Sequence, residues 1–211
     1  MAPELGSRQR WLLVAFLALC VAGLGVAADL TLIHVRVHTD PGYRSFCAIS
    51  QEVNCDTVAE SEYSVFLGLP NSVWGLLGYL VMAVLAIWGL TRKRLVESWP
   101  AGLLLLLSTF SVAVSLVLAV ISKLVIRSWC LMCIASWAVA LGLLVVSLLL
   151  ARREGWRSAV RADLWALLSR PALFLGLAAP AAVALGALWL ALPRYWVPAE
   201  SAGPGELATG T

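Results

Sequence analysis

The sequence predicts an all-α membrane protein, with a four-helix transmembrane bundle followed by a fifth transmembrane helix. Of its 211 residues, 61% are hydrophobic and 13% are charged, and the mean hydropathy of +0.90 lies outside the range of soluble domains. Five apolar runs approach or exceed the length of about 20 residues that crosses a bilayer. No stretch alternates as barrel strands do, so helices must satisfy the backbone within lipid. The runs are Trp11–Ile33, Trp74–Leu90, Ala101–Ile126, Trp129–Ala151 and Ala172–Leu192.

These runs divide the chain into four parts. We expect the bundle over residues 8–151, including an outer loop at 34–73. A basic cytoplasmic loop at 152–170, the fifth helix at 171–192 and a disordered outer tail at 193–211 should follow.

Basic residues predict the orientation, because loops rich in Lys and Arg remain in the cytoplasm. Ten of the fifteen Lys and Arg residues fall on one side if all five runs span. The outer loop, the short turn near Arg127 and the tail then face outward, and the net charge of +3 gives no reason to expect nucleic-acid binding. The ten are Arg8, Arg10, Arg92, Lys93, Arg94, Arg152, Arg153, Arg157, Arg161 and Arg170.

The first run admits a second interpretation, as a cleavable signal peptide. Arg8, Arg10 and the small residues of Gly25–Ala28 have that pattern, but the apolar stretch exceeds a usual signal core. We therefore expect a spanning helix. Its lone Cys20 is expected to be a buried, small apolar residue.

The outer loop is acidic and carries the first of two cysteine pairs. Cys47 and Cys55 are separated by seven residues, a gap too wide for the tight knuckles of a zinc site. His34 and His38 make only a weak metal pattern, so we predict no metal site.

Helix starts are indicated by capping residues. Asn71 opens the second spanning run and is a good N-cap, while Ser128 is the candidate cap of the fourth. Only Arg127 and Ser128 separate the third and fourth runs, which should pack as an antiparallel hairpin.

The second cysteine pair, Cys130 and Cys133, forms a Cys-x-x-Cys motif in the first turn of the fourth run. A helix N-terminus favours a thiolate, and all four outer cysteines lie on the disulfide-permissive side. Thiol–disulfide exchange between the pairs is one interpretation. Two structural disulfides in a non-catalytic membrane protein are the alternative.

Three segments resemble the bacterial branch of the vitamin K epoxide reductase family, over about Trp11–Ala151. They are Cys47-x7-Cys55-Asp56, Leu69-Pro70-Asn71-Ser72-Val73-Trp74-Gly75-Leu76-Leu77-Gly78-Tyr79 and Cys130-Leu131-Met132-Cys133. The other quinone-coupled disulfide-forming membrane oxidase of bacteria carries its two kinds of cysteine pair in the reverse order.

The resemblance implies a role for each matching residue. Cys130 and Cys133 would reduce a quinone, with Cys133 nearest the ring. Cys55 would exchange with Cys130, and Cys47 would meet an external dithiol. Asn71 would donate a hydrogen bond to a quinone oxygen. Trp137 stands where the vertebrate enzymes have a tyrosine, and it is a further quinone-site candidate.

The resemblance thus predicts a catalytic bundle in a bacterial inner membrane, with its cysteines on the periplasmic side. It would oxidise a periplasmic thioredoxin-fold dithiol protein and reduce ubiquinone or menaquinone. Many bacterial relatives carry a fused thioredoxin-like domain; we expect none here, and therefore a separate partner. Reduction of vitamin K epoxide is the other enzymatic alternative.

Overall fold

The computed structural model describes residues 6–91, 99–152 and 155–169, with isolated positions between 179 and 190. Within them, four helices are long and apolar enough to cross a membrane, which confirms the predicted all-α membrane fold. These helices are α1 (Ser7–Thr39), α3 (Asn71–Thr91), α4 (Ala101–Ile121, extended by a π-helical turn at Ser122–Ile126) and α5 (Leu131–Ala151).

Small residues allow the spanning helices to approach closely. A Cβ atom on Gly23 of α1 would lie 2.6 Å from the ring of Tyr79 on α3, so only glycine fits this crossing. The Tyr79 hydroxyl in turn lies 3.0 Å from the Ser136 hydroxyl of α5. Large apolar side chains such as Phe110 and Leu116 remain exposed on the outside of the bundle, where lipid would cover them.

Helix α1 is longer than a bilayer requires. Its 33 residues extend about 50 Å at roughly 1.5 Å per residue, against a hydrocarbon core of about 30 Å. The C-terminal end of α1 packs Leu30, Ile33 and Val37 against the cysteines of the loop that follows.

The outer loop contains helix α2 (Cys55–Glu60), a 3-10 turn and a small hairpin that leads into α3. Strand β1 (Val65–Phe66) pairs antiparallel with β2 (Leu69–Pro70). Both residues of the connecting turn, Leu67 and Gly68, have positive φ, as the common two-residue hairpin turn requires. Phe66 and Leu67 are exposed at its tip.

The segment expected to be a basic loop contains a helix, α6 (Trp156–Leu168). Its buried face is the stripe Ala159, Asp163 and Ala166, which a reading based on arginine content overlooked. Asp163 Oδ2 accepts backbone hydrogen bonds from Gly102 at 2.8 Å and Leu103 at 3.3 Å. A carboxylate is favourable there, because the first turn of α4 presents unpaired N–H groups.

The predicted fifth helix and outer tail lie mostly outside the described residues. The isolated described positions between 179 and 190 are helical. The basic turn at 92–98 and the tail at 193–211 are not described.

Candidate functional site

Both cysteine pairs meet at one end of the bundle. Cys47, Cys55 and Cys130 are buried together against Ile33 of α1, and Cys133 packs beside them while remaining partly exposed. The sequence placed these four residues on one side of the membrane, and the structure brings them into a single cluster.

The loop pair is a disulfide. The Cα atoms of Cys47 and Cys55 are 5.6 Å apart. The side chain of Asn54 caps α2, accepting hydrogen bonds from the backbone N–H groups of Asp56 and Thr57. The disulfide is therefore attached to the start of a short capped helix.

A backbone bridge holds the loop pair beside the Cys-x-x-Cys pair. Val53 and Trp129 pair as an isolated parallel β-bridge. The Asn54 N–H donates to the Trp129 carbonyl at 2.9 Å, and the Trp129 N–H donates to the Glu52 carbonyl at 2.7 Å. Cys55 and Cys130 follow this bridge by two residues and one residue, so it fixes their segments side by side.

Cys130 itself is the N-cap of α5. Its Sγ accepts the backbone N–H of Cys133 at 3.2 Å. The expectation that Ser128 caps this helix was therefore wrong, because the sulfur takes that place. The Ser128 hydroxyl instead donates to the Asn54 carbonyl at 3.3 Å, which adds a third bond between the two cysteine segments.

The surroundings of Cys130 favour its thiolate. A hydrogen bond from the Cys133 thiol is the main cause that lowers the pKa of Cys130, and the backbone N–H groups of Cys133 and Met132 lower it further. Burial and the Asp56 carboxylate oppose the shift without reversing it. Since the thiolate is the nucleophile in disulfide exchange, Cys130 is suited to attack the neighbouring disulfide.

The two candidate quinone-binding residues lie on different helices, α3 and α5. The Asn71 amide is at the first position of α3 rather than before it, and its Nδ2 donates to the Tyr63 carbonyl at 2.7 Å. Trp137 packs edge to face on Trp129, with ring centroids 6.0 Å apart. Trp137 thus contacts Trp129, which directly precedes Cys130. Asn71 instead joins α3 to the outer loop.

No group of three or more potential metal ligands occurs among the residues that the structure describes. The rings of His34 and His38 lie 4.5 Å apart, and His38 Nδ1 is 2.8 Å from the His34 carbonyl. Cys20 is fully buried in the main core, as expected for a small apolar side chain.

Sequence reasoning missed two residues that shape the site, Ser45 and Asn54. The Ser45 hydroxyl lies 3.4 Å from Cys47 Sγ. Asn54 was identifiable as a helix cap from its position before Cys55. Nothing in the local sequence around Ser45 marks its contact with the sulfur.

Comparison with known proteins agrees with the family resemblance seen in the sequence. The model of the vitamin K epoxide reductase family matches residues 14–148. "Vitamin K epoxide reductase complex subunit 1" of Mus musculus is 34% identical over 146 residues, which cover 62% of this chain and 85% of that protein. Its counterpart in Rattus norvegicus is 33% identical with the same coverage.

Proposed function

Because this chain belongs to the vitamin K epoxide reductase family, we propose that it oxidises a dithiol protein and passes the electrons to a bilayer quinone. The family comprises membrane thiol–disulfide oxidoreductases that use a quinone or vitamin K as electron acceptor. The observation that carries the proposal is the buried contact between the loop disulfide and the Cys130/Cys133 dithiol.

The proposed relay has three exchanges, each of which moves two electrons. An external dithiol reduces the Cys47–Cys55 disulfide. The loop dithiol then reduces a Cys130–Cys133 disulfide through a Cys55–Cys130 mixed disulfide. The resulting Cys130/Cys133 dithiol gives two electrons and two protons to the quinone, which leaves as quinol. In this relay, an oxidised loop pair beside a free Cys130 and Cys133 would be the state before quinone reduction.

The assignment of Cys55 as the exchanging sulfur is supported by the bridge between Val53 and Trp129. Cys47 would instead meet the external protein. Its near neighbours Phe46 and Ile49 are 64% and 69% exposed, which offers an apolar contact beside a buried disulfide. We propose that the partner is a separate thioredoxin-fold protein on the periplasmic face of a bacterial inner membrane.

The quinone would bind near the outer ends of α3 and α5, where Asn71 and Trp137 lie. The Asn71 side-chain amide nitrogen carries two hydrogens, and one of them is donated to the Tyr63 carbonyl. The second would donate to a quinone oxygen, which gains negative charge during reduction. Trp137 would supply an indole N–H or a ring contact. The acceptor would be ubiquinone or menaquinone.

Proteoliposomes that contain ubiquinone or menaquinone test this function. Reduced thioredoxin-fold protein is added outside, and quinol formation is followed spectrally. We expect turnover by the unaltered protein and by Cys20→Ser, and none by Cys133→Ser. Equal quinol formation with Cys133→Ser, or no turnover with any dithiol donor, would rule the proposal out.

Reduction of vitamin K epoxide is a second candidate, which the similarity to the mouse protein favours. The same proteoliposomes distinguish the two when they are loaded with vitamin K epoxide. Consumption of the epoxide faster than reduction of either quinone would favour this second activity.

A further inference from the structure

The loop disulfide has an asymmetry that the relay does not use. The Ser45 hydroxyl lies 3.4 Å from Cys47 Sγ, and Ser45 is only 6% exposed. A disulfide sulfur carries no hydrogen, so the serine hydroxyl must be the donor. Cys47 therefore already has a hydrogen-bond donor directed at its sulfur before the disulfide opens.

Two backbone hydrogen bonds fix Ser45 in this position. Its N–H donates to Asp56 Oδ2 at 3.1 Å, and its carbonyl accepts the Ala48 N–H at 3.1 Å. Asp56 directly follows Cys55. The bond between Ser45 and Asp56 thus joins the two sides of the loop without involving sulfur, and can hold Cys47 near Cys55 after the S–S bond breaks.

We propose that Ser45 selects Cys47 as the leaving thiolate when Cys130 attacks the loop disulfide. This inference rests on the proposed relay and adds a residue to it. In the proposed relay the exchange runs in the reverse direction. There the same hydroxyl holds the Cys47 thiolate in position to attack Cys55 and release Cys130.

The exchange is an isomerisation that needs no outside oxidant or reductant. The Cys130 thiolate attacks Cys55 Sγ, the Cys55–Cys130 bond forms, and the Cys47–Cys55 bond breaks. The electron pair of the broken bond leaves on Cys47 as a thiolate. A hydroxyl donates more strongly to this charged sulfur than to a neutral one, so Ser45 stabilises the product.

The exchange can be measured in full-length protein that carries Cys133→Ala, which leaves Cys130 without a resolving partner. Samples equilibrate at pH values between about 6 and about 9, which bracket the ordinary cysteine pKa. They are then quenched in acid, alkylated with N-ethylmaleimide and mapped by mass spectrometry without reduction. The ratio of free Cys47 to free Cys130 gives the equilibrium constant.

We expect Ser45→Ala to lower this constant about tenfold near pH 9, above the ordinary cysteine pKa, and by less than about twofold near pH 6. Ser45→Thr, which keeps the hydroxyl, should restore most of the effect. Ser50→Ala is the matched control, because its hydroxyl oxygen accepts a backbone N–H from Val53 instead of contacting sulfur.

The possible results separate the inference from the relay. An equal change at every pH, or no change with Ser45→Ala, would overturn the role of Ser45 while the relay stands. If no Cys55–Cys130 disulfide forms with serine present at any pH, the relay itself fails and this inference with it. A Cys47–Cys130 disulfide would reverse the selection and overturn the inference.

Discussion

Replacement of Asn71 by alanine should slow quinone reduction far more than it lowers the stability of the protein. In the structure its amide makes a 2.7 Å hydrogen bond to the Tyr63 carbonyl, which contributes about 1 kcal/mol to stability. A donor that stabilises a developing oxyanion contributes roughly 3–4 kcal/mol to the transition state. Turnover should therefore fall by about two to three orders of magnitude.

A neighbouring residue provides a matched control for this variant. Trp74 Nε1 donates to the Phe66 carbonyl at 2.9 Å, so it also attaches the start of α3 to the outer hairpin. Trp74→Phe removes that bond and leaves the Asn71 amide in place. Both variants should lose similar, small amounts of thermal stability in detergent.

The assay is quinol formation in proteoliposomes under saturating dithiol donor, combined with thermal unfolding of each variant. Asn71→Asp adds a second test, since it keeps an oxygen acceptor but lacks the amide donor. Equal losses of turnover in Asn71→Ala and Trp74→Phe, or normal turnover in Asn71→Asp, would refute a direct quinone contact by Asn71.

Three further predictions concern other parts of the chain. Because the Cys133 thiol is the main cause that lowers the pKa of Cys130, Cys133→Ala should raise that pKa, and the Cys130 thiolate absorbance should disappear at a higher pH as the sample is acidified. Ile49→Glu should raise KM for the thioredoxin-fold donor about tenfold, the effect of one interface side chain, while turnover with a small chemical dithiol stays unchanged; equal losses with both donors would contradict a docking role. Asp163→Ala leaves two N–H groups of α4 without their carboxylate acceptor and should lower the unfolding free energy by about 1–3 kcal/mol. The KM for quinone should stay unchanged, because the candidate site lies at the opposite end of the bundle. Unaltered thermal stability would contradict the capping role of Asp163.

The spanning helices were predictable because lipid leaves the backbone few alternatives. The run at Trp74–Leu90 became α3 at Asn71–Thr91, a boundary difference of only a few residues. Helix α6 was missed because its arginines suggested a solvated loop, whereas its small and acidic face packs against the first turn of α4. That contact depends on tertiary packing, which local sequence does not encode.

The sequence indicated the four candidate cysteines but not how they are arranged. Cysteine spacing and the family resemblance indicated two communicating pairs, and the structure places them in contact. The bridge between Val53 and Trp129 joins segments far apart in sequence, so no local sequence pattern predicts it. Likewise, Ser128 was expected to be a cap, but its hydroxyl is used between the cysteine segments and Cys130 caps α5 instead.

The central claim, that electrons pass from the loop pair to the Cys-x-x-Cys pair through Cys55, is tested most directly by disulfide mapping of two double variants. In Cys47→Ala/Cys133→Ala, neither resolving thiol remains, so treatment with an added two-electron oxidant such as diamide, without dithiol donor, should join the two remaining thiols as a Cys55–Cys130 disulfide. In Cys55→Ala/Cys133→Ala, the corresponding Cys47–Cys130 disulfide should be absent or scarce. A dominant Cys47–Cys130 disulfide in the second variant, with none in the first, would contradict the account.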